Sequence, residues 1–457
     1  MTMVMTRRLA RGCTLRSISS AATLGAVVWT LSSAEARPDT TFTPLGDLPG
    51  GTFGSVARGI SNDGTIVVGQ SMIDGGFSAG FRWSAPTGMT PLAVPAGWPV
   101  ADCLDISGDG STLLGSGITS SKLKSHMAAL YWTRDLDPIS LDALFEPYSM
   151  LTGSTFDATR FIGADRVGWS HEPGFNSSYA FIYNAGDGVT YLPDLPGSQG
   201  FFDNCGPADI AANEQFIVGF GETTTTIDAV VWTNVAGQWQ VQSLGHLPGG
   251  FGFSQAMAIS AEGNHVSGIA ATAIGYEPFM WTAQEAGGAS AMISLGSSPH
   301  DDYRAGAVSA MRADGRVVIG SWAWGLLPSL ETPGIAFMWS ANRGMRDLQD
   351  VLVGDAGLNL DGWSLTAATD MTPDGGVIIG NAANPQGHQE AWMVRLDERA
   401  LVSPDITSDG VVDAEDLVAV ILAWGACPPL PMLCPADANN SGVVDADDLV
   451  AVILHWD

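Results

Sequence analysis

Short runs of β-branched and other apolar residues, each ended by a polar two-residue turn, fill most of this chain. The first clear unit runs from Val56 to Trp83: VARGISNDGTIVVG, a variable loop, then AGFRW. Ile60 leads into Asn62-Asp63-Gly64, residue types that tolerate positive φ and so fold back a hairpin. The run Ile66 to Val68 ends on a glycine, and after the loop a third strand closes on Trp83. A fourth strand, ending near Leu92, completes a four-stranded sheet.

The phrase recurs, marked most regularly by the glycine after the β-branched run: Gly69, Gly115, Gly168, Gly219, Gly268, Gly320 and Gly380. The closing aromatics are Trp83, Trp132, Tyr183, Trp232, Trp281, Trp339 and Trp392. The period of about 50 residues falls in the range for propeller blades. Asp109-Gly110, Asp314-Gly315 and Asp374-Gly375 keep the turn chemistry closely, Glu262-Gly263 and Asn213-Glu214 less so, and the third copy, around Ala164-Asp165, is the most eroded. One such sheet cannot bury its own face, so neighbouring copies must stack, and radial closure removes exposed edges.

Copies one to six each end in a fourth-strand segment, such as Thr190 to Leu195 or Val241 to Leu247, whereas copy seven stops after Met393 to Leu396. The segment Thr43 to Gly51 closely matches Ser243 to Gly250. An N-terminal strand therefore supplies the missing piece. The expected fold class is an all-β repeat domain, a seven-bladed β-propeller over residues 42–398, with an open β-solenoid as the alternative.

These units resemble the bacterial extracellular HAF-repeat family, whose motif is Ile-Asn-x-x-Gly-x-Val-Val-Gly followed by Ala-Phe-x-Trp. Ile60 to Gly69 and Ala79 to Trp83 fit with an extra Gly80, and Ala336-Phe337-Met338-Trp339 fits outright. The resemblance implies a secreted repeat protein and carries no activity with it.

Composition agrees with that location. The chain has 457 residues, 56 of them glycine, and few charged residues, as an all-β, turn-rich extracellular protein would. A formal charge of -29 excludes nucleic acid and anionic membranes as natural partners and favours divalent cations. Arg7, Arg8, Arg11 and Arg16, the apolar Ala21 to Leu31 and the small-x-small Ala34-Glu35-Ala36 read as a signal peptide, 1–36, cleaved after Ala36. That apolar run is short for a bilayer, and no other segment offers about 20 uninterrupted apolar residues, so membrane insertion is not expected. Four cysteines then remain in an oxidising compartment. Cys427 and Cys434 flank a proline-rich loop and are expected to pair, while Cys103 and Cys205 either meet or stay as two buried thiols.

Past a linker at 399–404 the chain changes character. Residues 403–457 contain ten carboxylates and no Lys or Arg. A second repeat appears: Asp405-Ile-Thr-Ser-Asp-Gly-Val-Val-Asp-Ala-Glu-Asp416 aligns with Asp437-Ala-Asn-Asn-Ser-Gly-Val-Val-Asp-Ala-Asp-Asp448, and each runs into Leu-Val-Ala-Val-Ile-Leu and a tryptophan. A hard cation takes oxygens at loop positions 1, 3, 5, 7, 9 and 12, with glycine at 6 for the sharp turn. The first loop offers Asp405, Thr407, Asp409, the Val411 carbonyl, Asp413 and Asp416. The second offers Asp437, Asn439, Ser441, the Val443 carbonyl, Asp445 and Asp448. Gly410 and Gly442 hold position 6. Oxygen-only ligands select Ca²⁺, two ions in all, over zinc or copper.

An acidic helix N-terminus alone would account for Asp413, Glu415 and Asp416. It leaves unexplained both the ligands at odd positions before the helix and the second copy of the pattern. Each loop leads into a helix, Asp413 to Trp424 and Asp445 to Trp456, with Leu417, Val420, Ile421 and Trp424 on one face. Prolines at 404, 428, 429, 431 and 435 exclude a helix entering either loop.

Loop and exiting helix, given twice, resemble the type I dockerin fold, specifically the subgroup with Trp424-Gly425-Ala426-Cys427 and a cysteine pair between repeats. The resemblance implies an EF-hand-like calcium-binding module, 405–457, docking through its helices onto a cohesin or another cell-surface protein. Dockerins often ride on polysaccharide-degrading enzymes. This chain departs from the cellulosomal pattern at loop positions 10 and 11, Ala414-Glu415 and Ala446-Asp447, and lacks the basic helix residues.

Evidence for catalysis is sparse. Ser61-Asn62-Asp63-Gly64-Thr65 is not a sialidase Asp box, and Gly168-Trp169-Ser170-His171-Glu172 lacks the glycine of a nucleophile elbow. No HExxH-like histidine pair exists. His300-Asp301-Asp302 reads as a solvated loop, and Trp322, Trp324 and Tyr276 as aromatics able to stack on sugars. Carboxylates paired for glycoside hydrolysis would come from different blades and share no local motif. The expectation is a secreted, non-catalytic repeat protein attached to an extracellular or cell-surface partner. The alternatives are an enzyme, hydrolase or lyase, acting on extracellular polysaccharide from the propeller funnel, and a self-associating surface-layer component.

Overall fold

A computed structural model describes residues 40–120, 125–145, 149–167, 177–197, 205–283, 292–300, 305–323, 334–397 and 402–456. The signal segment 1–36, Gly168 to Glu172, Asp301, Asp302, Trp324 and Arg399 lie outside the described residues.

The first repeat forms a four-stranded antiparallel sheet, Ser55–Ile60, Ile66–Ile73, Phe77–Ser84 and Gly88–Pro91, paired in that order. The same order recurs down the chain, with two neighbouring sheets joined by one parallel pair, Tyr276 with Ala305. Fourth strands end earlier than expected: Gly188–Tyr191 stops before Pro193, which has no N–H to give a ladder, and Gln238–Gly245 stops at a residue with φ of 82°. The last sheet is completed by Thr41–Gly46, antiparallel to Gln389–Arg395, so the two ends of the repeat region are laced together.

The innermost strands, Ser55–Ile60, Val100–Ile106, Met150–Ser154, Cys205–Ile210, Ser254–Ile259, Ala305–Met311 and Ser364–Met371, touch one after another in a closed cycle. The fold is a β-propeller. Its core lies between sheets: Val377 and Ile379 pack against Ala57, Ile60 and Val67 across the closure. The marker glycines let neighbouring strands within a sheet come close. A Cβ on Gly69 would lie 2.0 Å from the Val56 carbonyl oxygen, and on Gly320 2.0 Å from that of Ala307.

The third repeat corrects the sequence reading. Its marker is Gly163, whose Cβ would meet the Met150 carbonyl at 2.3 Å, and its turn is at Asp157-Ala158. Ala164 and Asp165 sit inside the strand Arg160–Val167. Ala158 holds the left-handed conformation (φ 55°) that glycine takes in most other copies, which hid the turn.

Ser364–Met371 is bulged twice, at Thr366 and Thr369, and the other inner strands once, so that Arg58, Leu104, Thr152, Ala208, Met257, Ser309 and Thr369 fall out of register at equivalent places. All seven line the axial cavity. The residue after the bulge is an aspartate in three repeats. Asp209 accepts N–H bonds from Ile210 (2.8 Å) and, across to the next sheet, Ile259 (2.9 Å). Asp370 does the same with Met371 (2.7 Å) and Ile60 (2.9 Å). These are carboxylate staples between neighbouring inner strands.

Candidate metal centre

The C-terminal segment folds as two copies of one loop and helix. The helices are Ala414–Leu422 and Ala446–Leu454, shorter than expected because the chain leaves helical geometry at Ala423 and His455. Asp413 and Asp445 are N-caps, each in a capping box with the position-12 aspartate. The inward stripe runs through Asp416, Ala419 and Val420 and through Asp448, Ala451 and Val452, one position earlier than the expected face. Leu417 packs only partly inward, and Ile421 and Trp424 are exposed by 52% and 54%. Val418, Leu422, Val450, Ile453, Leu454 and Trp456 are exposed as well, so both helices offer the same apolar surface outward.

The two loops share one hydrogen-bond scheme. In the first, Asp405 accepts from the N–H groups of Asp409 (3.2 Å) and Gly410 (3.0 Å). Asp416 accepts from Thr407 (2.8 Å) and Asp413 (2.9 Å). In the second, Asp437 accepts from Ser441 (2.8 Å) and Gly442 (2.7 Å), and Asp448 from Asn439 (3.2 Å) and Asp445 (2.8 Å). Ser408 and Asn440 take φ near 60°, and Gly410 and Gly442 follow at 89° and 101°. Side chains at positions 1 and 12 are thereby held from both ends of each loop.

This donor set fits Ca²⁺. In the second loop Ser441 Oγ lies 3.1 Å from the Val443 carbonyl and 3.4 Å from Asp437 Oδ1, which brings positions 1, 5 and 7 onto one centre. Asp416, Asp437 and Asp448 are fully buried; Asp437 has the Arg316 guanidinium 3.4 Å away, and a carboxylate is costly to bury without such a partner charge. Burial, with Asp437 and Asp445 nearby, pushes the Asp448 carboxyl up. Burial acts the same way on Asp416, but N–H bonds from Asp413 and Thr407 outweigh it and hold that carboxyl low. Held by these residues, calcium would supply the positive charge the carboxylates face and cross-link loop to helix.

Cys427 and Cys434 form a disulfide, which also places them beside Asp437. Sulfurs in a disulfide offer no thiolate, so that trio is no metal site. Cys103 and Cys205 lie buried as separate thiols in different sheets.

Sequence reasoning missed how the loops meet the propeller. Arg343 donates to Ser408 Oγ (2.6 Å), Ser403 Oγ and the Asp405 carbonyl of the first loop. Arg312 donates to the Asn440 carbonyl (2.8 Å), and Arg316 lies 3.4 Å from Asp437 Oδ2. Asn342 reaches the Asp437 carbonyl (3.3 Å), and Leu430 joins a propeller core cluster with Trp339 and Met280. All four polar residues sit in hairpin turns of the sixth repeat, whose basic character beside an acidic tail was the available signal.

Other expected sites change. Trp322 is 1% exposed and packs against Gly306 and, at a tilt, Phe337, so it is no sugar platform. Tyr276 packs edge-on against Phe251 and Phe253. His300 bonds Asp347 at 2.8 Å. No described helix is long and apolar enough to cross a membrane.

No family model and no curated protein matches this chain. Similar solved structures include the β-propeller domain of the Trilobed protease from Pyrococcus furiosus, 10% identical, TM-score 0.43, covering 65% of this chain and 82% of that one. TolB from Acinetobacter baumannii is 11% identical, TM-score 0.39, covering 77% and 86%. A putative 6-phosphogluconolactonase from Bacteroides uniformis is 12% identical, TM-score 0.37, covering 74% and 95%.

Proposed function

We propose that this is a secreted, non-catalytic protein: a seven-bladed HAF-type propeller whose dockerin-like tail, loaded with two Ca²⁺, attaches it to a cell-surface or extracellular protein. The observation that carries this reading is the duplicated loop scheme, in which equivalent carboxylates at positions 1 and 12 are held by the same backbone N–H groups in both copies, with Asp416, Asp437 and Asp448 fully buried. The apolar residues repeated on the outer faces of both helices supply a surface a partner can cover. Export by a cleaved signal peptide suits the disulfide and a millimolar calcium environment.

The paired staples count against the polysaccharide-degrading alternative, because Asp209 and Asp370 commit both oxygens to backbone N–H groups. The test is retention of the full chain on native cell envelope. It should bind in calcium, elute with chelator, and fail to bind when Asp405 and Asp437 are both replaced by alanine. Equal retention with and without calcium would overturn the proposal.

A further inference from the structure

Far from the calcium loops, the propeller axis holds a cavity of about 500 Å³, a size that suits a small organic ligand. Six of the seven bulge residues on its wall are uncharged, and Arg58 is the exception. Three polar atoms of the lining are buried without a protein partner: Arg58 Nε, Trp322 Nε1 and Asn381 Nδ2. All three are N–H donors. Asn381 spends its oxygen on the Ala57 N–H at 2.8 Å, which fixes the amide and leaves its NH₂ end over. Trp322 and Asn381 are each only 1% exposed.

An unmet buried donor costs about 1–3 kcal/mol, and three donors of one kind on residues around one cavity favour an occupant rich in acceptors. The carboxylate that acts on Arg58 is Asp102, which also accepts from Ser78 Oγ at 2.8 Å. Burial outweighs that carboxylate and pushes the Arg58 guanidinium below its ordinary value, as expected of a cation still short of a partner. The wall carries apolar Leu104 on the neighbouring inner strand and apolar Met257 and Phe220 in sheets farther round the ring.

We propose that the axial cavity binds a small carboxylic acid with an apolar body, its carboxylate on Arg58 and the body against Leu104, Met257 and Phe220. Saturation-transfer NMR on the full chain, with calcium saturating, tests this with hexanoate, 3-phenylpropionate and indole-3-acetate. At least one acid should bind, and its neutral amide should bind at least tenfold more weakly. Arg58→Met should weaken the acid tenfold or more. Ala208→Phe, which fills the opposite wall and leaves Arg58 in place, should abolish binding and decides the matter should the arginine variant fold poorly. Binding by none of the three acids, equal binding of acid and amide, or undiminished binding in Ala208→Phe would overturn the proposal.

Discussion

Raising the pH should weaken this propeller through two inter-blade staples, Asp209 and Asp370. Both carboxyls lie at the narrow mouth of the axial channel, walled by protein but touching the channel. Burial pushes Asp209 from an ordinary 3.8 up to about 6 and Asp370 up to about 7, against the N–H bonds that favour the charged forms. Folded-state values above the unfolded ones mean that the native chain holds protons the unfolded chain has lost. Their stabilisation is therefore fully present below about pH 4 and is lost as pH rises through 6 and 7. At roughly 1.4 kcal/mol per pH unit, moving from pH 5 to pH 8 removes about 4 kcal/mol from the pair, and contact with channel solvent reduces this to about 2 kcal/mol.

Urea unfolding followed by tryptophan fluorescence, at saturating calcium, measures the change. Asp105, pushed well up by burial and by Asp370 and Asp209, titrates with the same sign, and His265, held below its ordinary value by burial, with the opposite sign, so the informative quantity is the difference between wild type and Asp209→Asn/Asp370→Asn. The double variant should be less stable throughout, since each amide loses an acceptor, yet its stability should vary about 2 kcal/mol less between pH 5 and pH 8. An unchanged pH dependence would refute the reasoning.

Two further outcomes follow from backbone contacts. Gly163→Ala should lower the melting temperature by ten degrees or prevent folding, because its Cβ would lie 2.3 Å from a backbone oxygen that cannot retreat. A melt indistinguishable from wild type would return the marker role to another glycine. Arg343→Ala removes three charge-assisted bonds to the first loop, about 2–4 kcal/mol of docking, and should speed tryptic cleavage at Arg399 at least tenfold with the propeller left intact.

Most of the ring was legible because turn, β-branched run and marker glycine recur on a fixed period, and the strand that closes it could be read from Thr43 to Gly51. The third repeat was misplaced where Ala158 takes a conformation that sequence assigns to glycine. The two acidic loops were legible as one twelve-residue scheme given twice, since the same residue types return at positions 1, 6, 9 and 12. Their seating was not. Arg312, Arg316 and Arg343 lie in turns far from the loops in sequence, and such turns read as solvated surface until the fold brings them against Asn440, Asp437 and Asp405. The bulges that aim Arg58 into the channel leave no trace in hydrophobic pattern either, because a one-residue slip changes pairing without changing composition.

Calorimetric titration of the metal-free full chain with CaCl₂ tests the central claim most directly. The account predicts uptake of two ions per chain, falling to one in Asp405→Ala and to one in Asp437→Ala. No heat of calcium uptake, or a stoichiometry that neither substitution alters, would contradict it.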